Sequence, residues 1–276
     1  MTAIAVPAEG RGGGGPTLAV RMLGNETLKG LQLLWRRRAM LIVGIALNGL
    51  TYLGIRLFIG GGHIVHPLLT VTLPGLLAYA VAGTAAVQGS GGIAEEINGG
   101  TLEQAQLSPA RPSLLAAGRL GALAIEGLIV AIVLGAGFVL TFGVHYHLRP
   151  DALVPAVLTV ADGLGYALLI TALTLAVASI GAITHVFNMT VMFFNGMLVP
   201  ITVFPHGAQV FEKFLPTTLG VQALNTTLAG RPLSAAWADG TLPWLLVHAT
   251  VLLGLGWATY LYTIRRARRE GGLSPR

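Results

Sequence analysis

Residues 120–144 read LGALAIEGLIVAIVLGAGFVLTFGV, with Glu126 the one charge among them. Crossing about 30 Å of hydrocarbon as a helix takes roughly 20 apolar residues. This stretch is long enough, and five others share its character: 39–59, 68–88, 152–176, 183–203 and 242–264. Glycines and a proline inside them, such as Gly44, Pro74, Gly163, Gly165 and Gly196, are tolerated in membrane helices and permit close packing. The expected fold class is all-α integral membrane, with six transmembrane helices.

Composition agrees. The 276 residues are 54% hydrophobic and 10% charged, with a mean hydropathy of +0.73. A soluble domain carries roughly 25% charged residues, and no polar stretch is long enough to hold one. With no cysteine, disulfides, thiolate metal sites and cysteine nucleophiles are excluded. The net charge is +6, but the basic residues sit at the ends of apolar segments, as a positive-inside topology requires and a nucleic-acid surface does not. With both termini cytoplasmic, the inner side holds Arg11, Arg21, Lys29, Arg36, Arg37, Arg38, Arg111, Arg119, Arg265, Arg266, Arg268, Arg269 and Arg276. That leaves Arg56, Arg149, Lys213 and Arg231 of the 17 basic residues at outer positions. The expected location is the cell membrane, multi-pass, with both ends inside.

Four regions follow. Residues 1–16 are Gly-rich, carry Arg11 and have no apolar core, so they read as a disordered tail rather than a signal peptide. Residues 17–38 place Arg21, Asn25, Lys29, Gln32 and Arg36 on one helical face and Val20, Leu23, Leu31, Leu34 and Trp35 largely on another. That is an amphipathic helix in the inner membrane interface, touching lipid phosphates. Residues 39–264 form the six-helix domain and 265–276 a basic cytoplasmic tail. The outer stretch 204–241 contains two semi-apolar pieces, 209–215 and 218–228, broken by Pro216; these read as short re-entrant or interfacial helices.

The inner loop 89–119 carries the functional argument. Thr101 with Gln104 three residues on is a capping-box pattern, so a helix starts at Leu102. Pro109 stops it at Ser108. The product is a short cytoplasmic helix on a glycine hinge, with Leu102, Ala105 and Leu107 apolar and Glu103 and Gln106 polar. A stiff rod of this kind passes rigid-body motion from a soluble partner to the membrane domain. Gly100-Thr101-Leu102-Glu103-Gln104, then Ser108-Pro109, preceded by Glu95-Glu96, resembles the signature loop of ABC-2 type export permeases. The order of spans, the interfacial helix and the outer prolines Pro200, Pro205 and Pro216 are similar too. One departure is Asn98-Gly99, where the family commonly carries a basic residue. The resemblance implies a dimer of membrane subunits, homo- or heteromeric, above two P-loop ATPase subunits that hold ATP and Mg²⁺. This chain would then bind no cofactor and catalyse nothing. Glu95, Glu96, Gly100, Thr101, Leu102, Glu103, Gln104 and Pro109 would form the ATPase-docking coupling helix. Neither Lys29 nor Lys213 follows a glycine, so no P-loop is expected here.

Polar residues inside spans cost about 2.5–3.5 kcal/mol each on insertion scales when charged. Two readings are open for Glu126 and Asp162: a cavity wall or cation contact, or a buried carboxyl that fixes helix packing. His185, Asn188, Met192 and Asn195 form one stripe, and Asn48, Tyr52 and Arg56 another; each faces a subunit interface or an export path. Arg56 reads as snorkelling to the outer interface. The outer histidines lack a Cys or carboxylate at ligand spacing, so no metal site is expected. An intramembrane protease fails on motif: near Glu95-Glu96, Gly99 and Gly100 stand where a paired-glutamate pattern needs an arginine, and Gln88 stands where a serine pattern at Ser90 needs a glycine. An ion-gradient-driven secondary transporter, with Asp162 and Glu126 relaying protons, is the alternative to an exporter of an amphiphilic drug, antibiotic or lipid.

Overall fold

The structure, a computed structural model, describes residues 16–99, 112–176 and 181–270. Among these residues every regular element is helical. Helix α1 (Pro16–Arg36) ends at Arg37, and α2 begins at once as Arg38–Ile59. Then come α3 (His66–Asn98), α4 (Pro112–Phe142) and, after a single 3-10 turn, α5 (Leu153–Ala176). Helix α6 (Gly181–Phe194) precedes three short helices, α7 (His206–Glu212), α8 (Thr218–Leu228) and α9 (Leu233–Ala238). The last is α10 (Thr241–Glu270). Helices α2, α3, α4, α5 and α10 are long and apolar enough to cross a membrane. This is a multi-pass membrane protein.

Helix α3 is the spine. It packs against both α4 and α5, and α5 packs most extensively against α10. The backbones approach through glycine: a methyl on Gly165 would lie 2.5 Å from Leu253 N, and one on Gly256 would lie 2.5 Å from Gly165 O. Small residues at such crossings let dispersion act over the whole interface, which matters because lipid supplies no hydrophobic drive between helices. Helix α2 stands at the edge. Tyr52 and Arg56 are buried, while Ile42, Val43, Leu47 and Leu50 on its outer face are exposed. Helix α1 lies against the first turns of α4, where Thr27 Oγ1 donates to Gly118 O at 3.3 Å and Gly30 meets Ala122.

Two expectations change. Residues 91–98 are not a hinged loop: α3 runs through Gly91 and Gly92 to Asn98, because Ile93 is buried against Ala116, Leu168 and Tyr260 and holds the extension down. Residues 265–270, the first part of the basic tail, continue α10 as helix. The apolar segment 183–203 is helical only to Phe194. Fourteen residues rise about 21 Å, short of the hydrocarbon thickness, and the chain then turns at Gly196 with φ +87. Residues 1–15 and 271–276 lie outside the described residues.

Non-helical backbone at membrane depth survives only when protein satisfies it, and two side chains do so here. Asn195 Oδ1 accepts the Met197 N–H at 3.0 Å, and its Nδ2 donates to Gly75 O at 3.0 Å. Gly75 is where α3 touches the break, with no room for a methyl beside Met197 N. Arg56 Nη2 donates to Met197 O at 2.9 Å and to Leu198 O. The Arg56 guanidinium, 2% exposed, also sits over the Tyr52 ring at 5.0 Å. So Arg56 does not snorkel; it seals the open carbonyls of a broken helix. The Tyr52 hydroxyl is itself fixed, 2.8 Å from Thr72 Oγ1.

Candidate functional site

The end of the bundle that holds Arg37, Arg119 and Arg265 is here termed the basic end. The described chain leaves off at Gly99 and resumes at Pro112, so Gly100, Thr101, Leu102, Glu103, Gln104 and Pro109 lie outside the described residues. What flanks them is well defined. Glu95, on the last turn of α3, makes a forked contact to Arg37, with Nη2–Oε2 at 2.6 Å and Nη1–Oε1 at 3.3 Å. Glu96, one residue on and facing a different neighbour, takes Arg119 Nη2 at 2.5 Å. Arg119 also reaches the Tyr260 hydroxyl at 3.4 Å. The two carboxylates therefore tie α3 sideways to the α1–α2 junction, to α4 and to α10. The bond to Glu95 and its charge hold Arg37 above the usual arginine range, with Glu126 a smaller contributor of the same sign. Both sides of the Arg37–Glu95 pair are about half exposed, where such pairs contribute about 0–1 kcal/mol. Its value is orientation.

Between α1, α3 and α4 the same end opens a cavity of about 510 Å³, with Glu26, Lys29, Arg37, Glu95 and Glu126 on its walls. A second cavity of about 180 Å³ adjoins it between α2, α3 and α4, beside Asn48, Tyr79 and Thr84. Leu41, Gln88 and Glu126 belong to both. At this neck Gln88 Nε2 donates to Glu126 Oε1 at 3.1 Å.

The other polar residues singled out from the sequence do not gather there. Asn48 lines the upper cavity and donates to Gly44 O of its own helix, while Tyr52 and Arg56 are buried toward the opposite end. The α6 stripe divides. Asn188 is buried, accepting the Tyr166 hydroxyl at 2.9 Å, and Asn195 is buried at the break, whereas His185 is exposed. Asp162 is fully buried: its Oδ2 accepts the Thr217 N–H at 2.7 Å, and its Oδ1 lies 2.7 Å from His248 Nδ1. His248 Nε2 lies 3.2 Å from Phe214 O. Thr217 has a left-handed backbone, φ 70, the only non-glycine residue so placed among the described residues. Such a residue persists only where its surroundings over-determine it. Asp162 and His248 thus pin the turn between α7 and α8 to the bundle.

Sequence reasoning missed His248, the partners of Glu95 and Glu96, and Glu212. The last is a fully buried carboxyl in α7, and among the described residues neither of its oxygens has a hydrogen-bond partner. Burial raises it to about 7. His248 lies seven residues inside a run of apolar character, and only its registry opposite Asp162 reveals it. Glu95 and Glu96 were visible as an acidic pair, but not which arginine each would meet.

A family model described as ABC-2 type transporter matches residues 27–228, from within α1 to the end of α8. No curated protein matches the chain.

Proposed function

The chain belongs to the ABC-2 type transporter family, and from that premise we propose that it is the membrane-spanning permease subunit of an ATP-binding-cassette exporter. Its cargo is an amphiphilic small molecule, a drug, antibiotic or lipid, and its motor is a separate P-loop ATPase that holds the ATP and Mg²⁺. The chain itself binds no cofactor. It sits in the cell membrane with both termini in the cytoplasm, so the basic end faces the ATPase. A second membrane subunit, identical or related, completes the assembly. The exposed apolar face of α2 offers it, or lipid, a surface.

The observation that carries this reading is the pair of bridges Arg37–Glu95 and Arg119–Glu96, at the point where α3 enters the 100–111 segment. A partner that grips Thr101–Leu107 moves the end of α3. The two bridges spread that displacement to α1, α2, α4 and α10 together, and rigid-body coupling needs such linkage. A proton relay through Asp162 and Glu126 has less support, since Asp162 is committed to Thr217 and His248 at the opposite end. The test is affinity purification from the native host, followed by reconstitution. We expect a P-loop ATPase to co-purify and export to require ATP. Export by the chain alone under a proton gradient would overturn the proposal.

A further inference from the structure

We propose that the two joined cavities at the basic end form one binding groove for a monocationic amphiphile, with the cation held at Glu126 and the apolar body lying between α2, α3 and α4.

The lower cavity, about 510 Å³, falls within the range of small-molecule sites. Its charged groups are largely spoken for: Arg37 is forked onto Glu95, and Arg119 onto Glu96. Arg37 is a cation whose charge reaches Glu126, and it is already paired with Glu95. Among the described residues Glu126 therefore takes one neutral donor, Gln88, at the neck between the cavities. Beyond the neck, none of the residues lining the upper cavity is basic. Besides Glu126 its polar groups are Asn48, Tyr79, Thr84 and Gln88, and the rest of its wall is aliphatic or glycine. A carboxylate in a half-buried wall attracts an ammonium far more strongly than one in water, and a tyrosine ring such as Tyr79 adds a cation–π surface. An anion entering the upper cavity would meet Glu126 and no basic residue on its walls. The groove thus selects by charge at its neck and by apolar contact above it.

What the chain does with the bound cation rests on the permease reading; binding itself does not, so it is tested without ATPase or nucleotide. The full chain in lipid nanodiscs is titrated with rhodamine 6G, a lipophilic monocation, and with Nile red, a neutral dye, by fluorescence anisotropy. Glu126→Gln retains an oxygen for Gln88 and should fold, which tryptophan-fluorescence melting verifies. We expect it to weaken rhodamine 6G at least about tenfold, equivalent to about 1.4 kcal/mol, and to leave Nile red unchanged. Glu126→Asp should recover most of the affinity. Gly44 lines the upper cavity, and a methyl there meets nothing within 4 Å, so Gly44→Leu should fill the groove and abolish rhodamine 6G binding. Wild-type affinity in either Glu126→Gln or Gly44→Leu would overturn the proposal. So would equal loss of both dyes in Glu126→Gln, or a groove that prefers an anionic lipid whatever stands at position 126. Failure here leaves the family reading intact, and failure of ATPase co-purification leaves this titration interpretable.

Discussion

Asp162 shows how one residue decides between the two roles a membrane carboxyl can take. A side chain that accepts a backbone N–H from a left-handed threonine and also holds a histidine is a structural pin. Replacing it by Ala strands both partners in a buried site, and a lost partner of this kind costs about 1–3 kcal/mol. We expect Asp162→Ala to lower the thermal midpoint by several degrees, followed through tryptophan fluorescence, and His248→Ala to lower it less. Glu212 predicts a pH effect. Its carboxyl is raised in the folded protein from 4.5 to about 7, so between those values the folded state holds the proton more tightly than the unfolded one. The contribution is therefore greatest below pH 4.5, falls as pH rises, and is fully lost above about 7. In Glu212→Gln this decline should vanish from a melting series between pH 4.5 and 8; an unaltered slope would remove Glu212 as its source. Asp162 was legible from sequence as a residue needing an account, but which account depended on a turn that no local pattern specifies.

At the level of helices, length and hydropathy predict where apolar segments lie, and the structure places helices at all six. Their ends follow less readily, because tertiary contacts set them. Helix α3 outruns its apolar stretch because Ile93 is buried and Glu95 and Glu96 are paired, and α6 stops early because Asn195 diverts the backbone ladder. The α5–α10 crossing yields a sharper test. Gly165→Ala puts a methyl 2.5 Å from Leu253 N, whereas Gly54→Ala on α2 meets nothing within 4 Å. Overpacking of a fixed crossing costs about 1–3 kcal/mol. We expect Gly165→Ala to reduce both folded yield and melting temperature, and Gly54→Ala to match wild type or exceed it slightly, since alanine favours the helix.

For the molecule as a whole, the prediction concerns coupling. If the partner ATPase grips the 100–111 segment, Glu103→Lys should leave nucleotide hydrolysis running while export falls. Arg119→Ala, which removes the Arg119–Glu96 bridge, should do the same through the bundle, and more severely than Arg37→Ala, because the Arg119 bridge is the less exposed of the two. Simultaneous assays of phosphate release and cargo flux separate these outcomes from simple loss of assembly. The break after α6 has a consequence for biogenesis. Its bare carbonyls are satisfied by a guanidinium on a helix translated long before it, so the half-helix has no stable place in lipid until the first span is already waiting. Assembly should then follow the order of synthesis, and a chain whose opening span is delayed should stall at the translocon rather than insert out of turn.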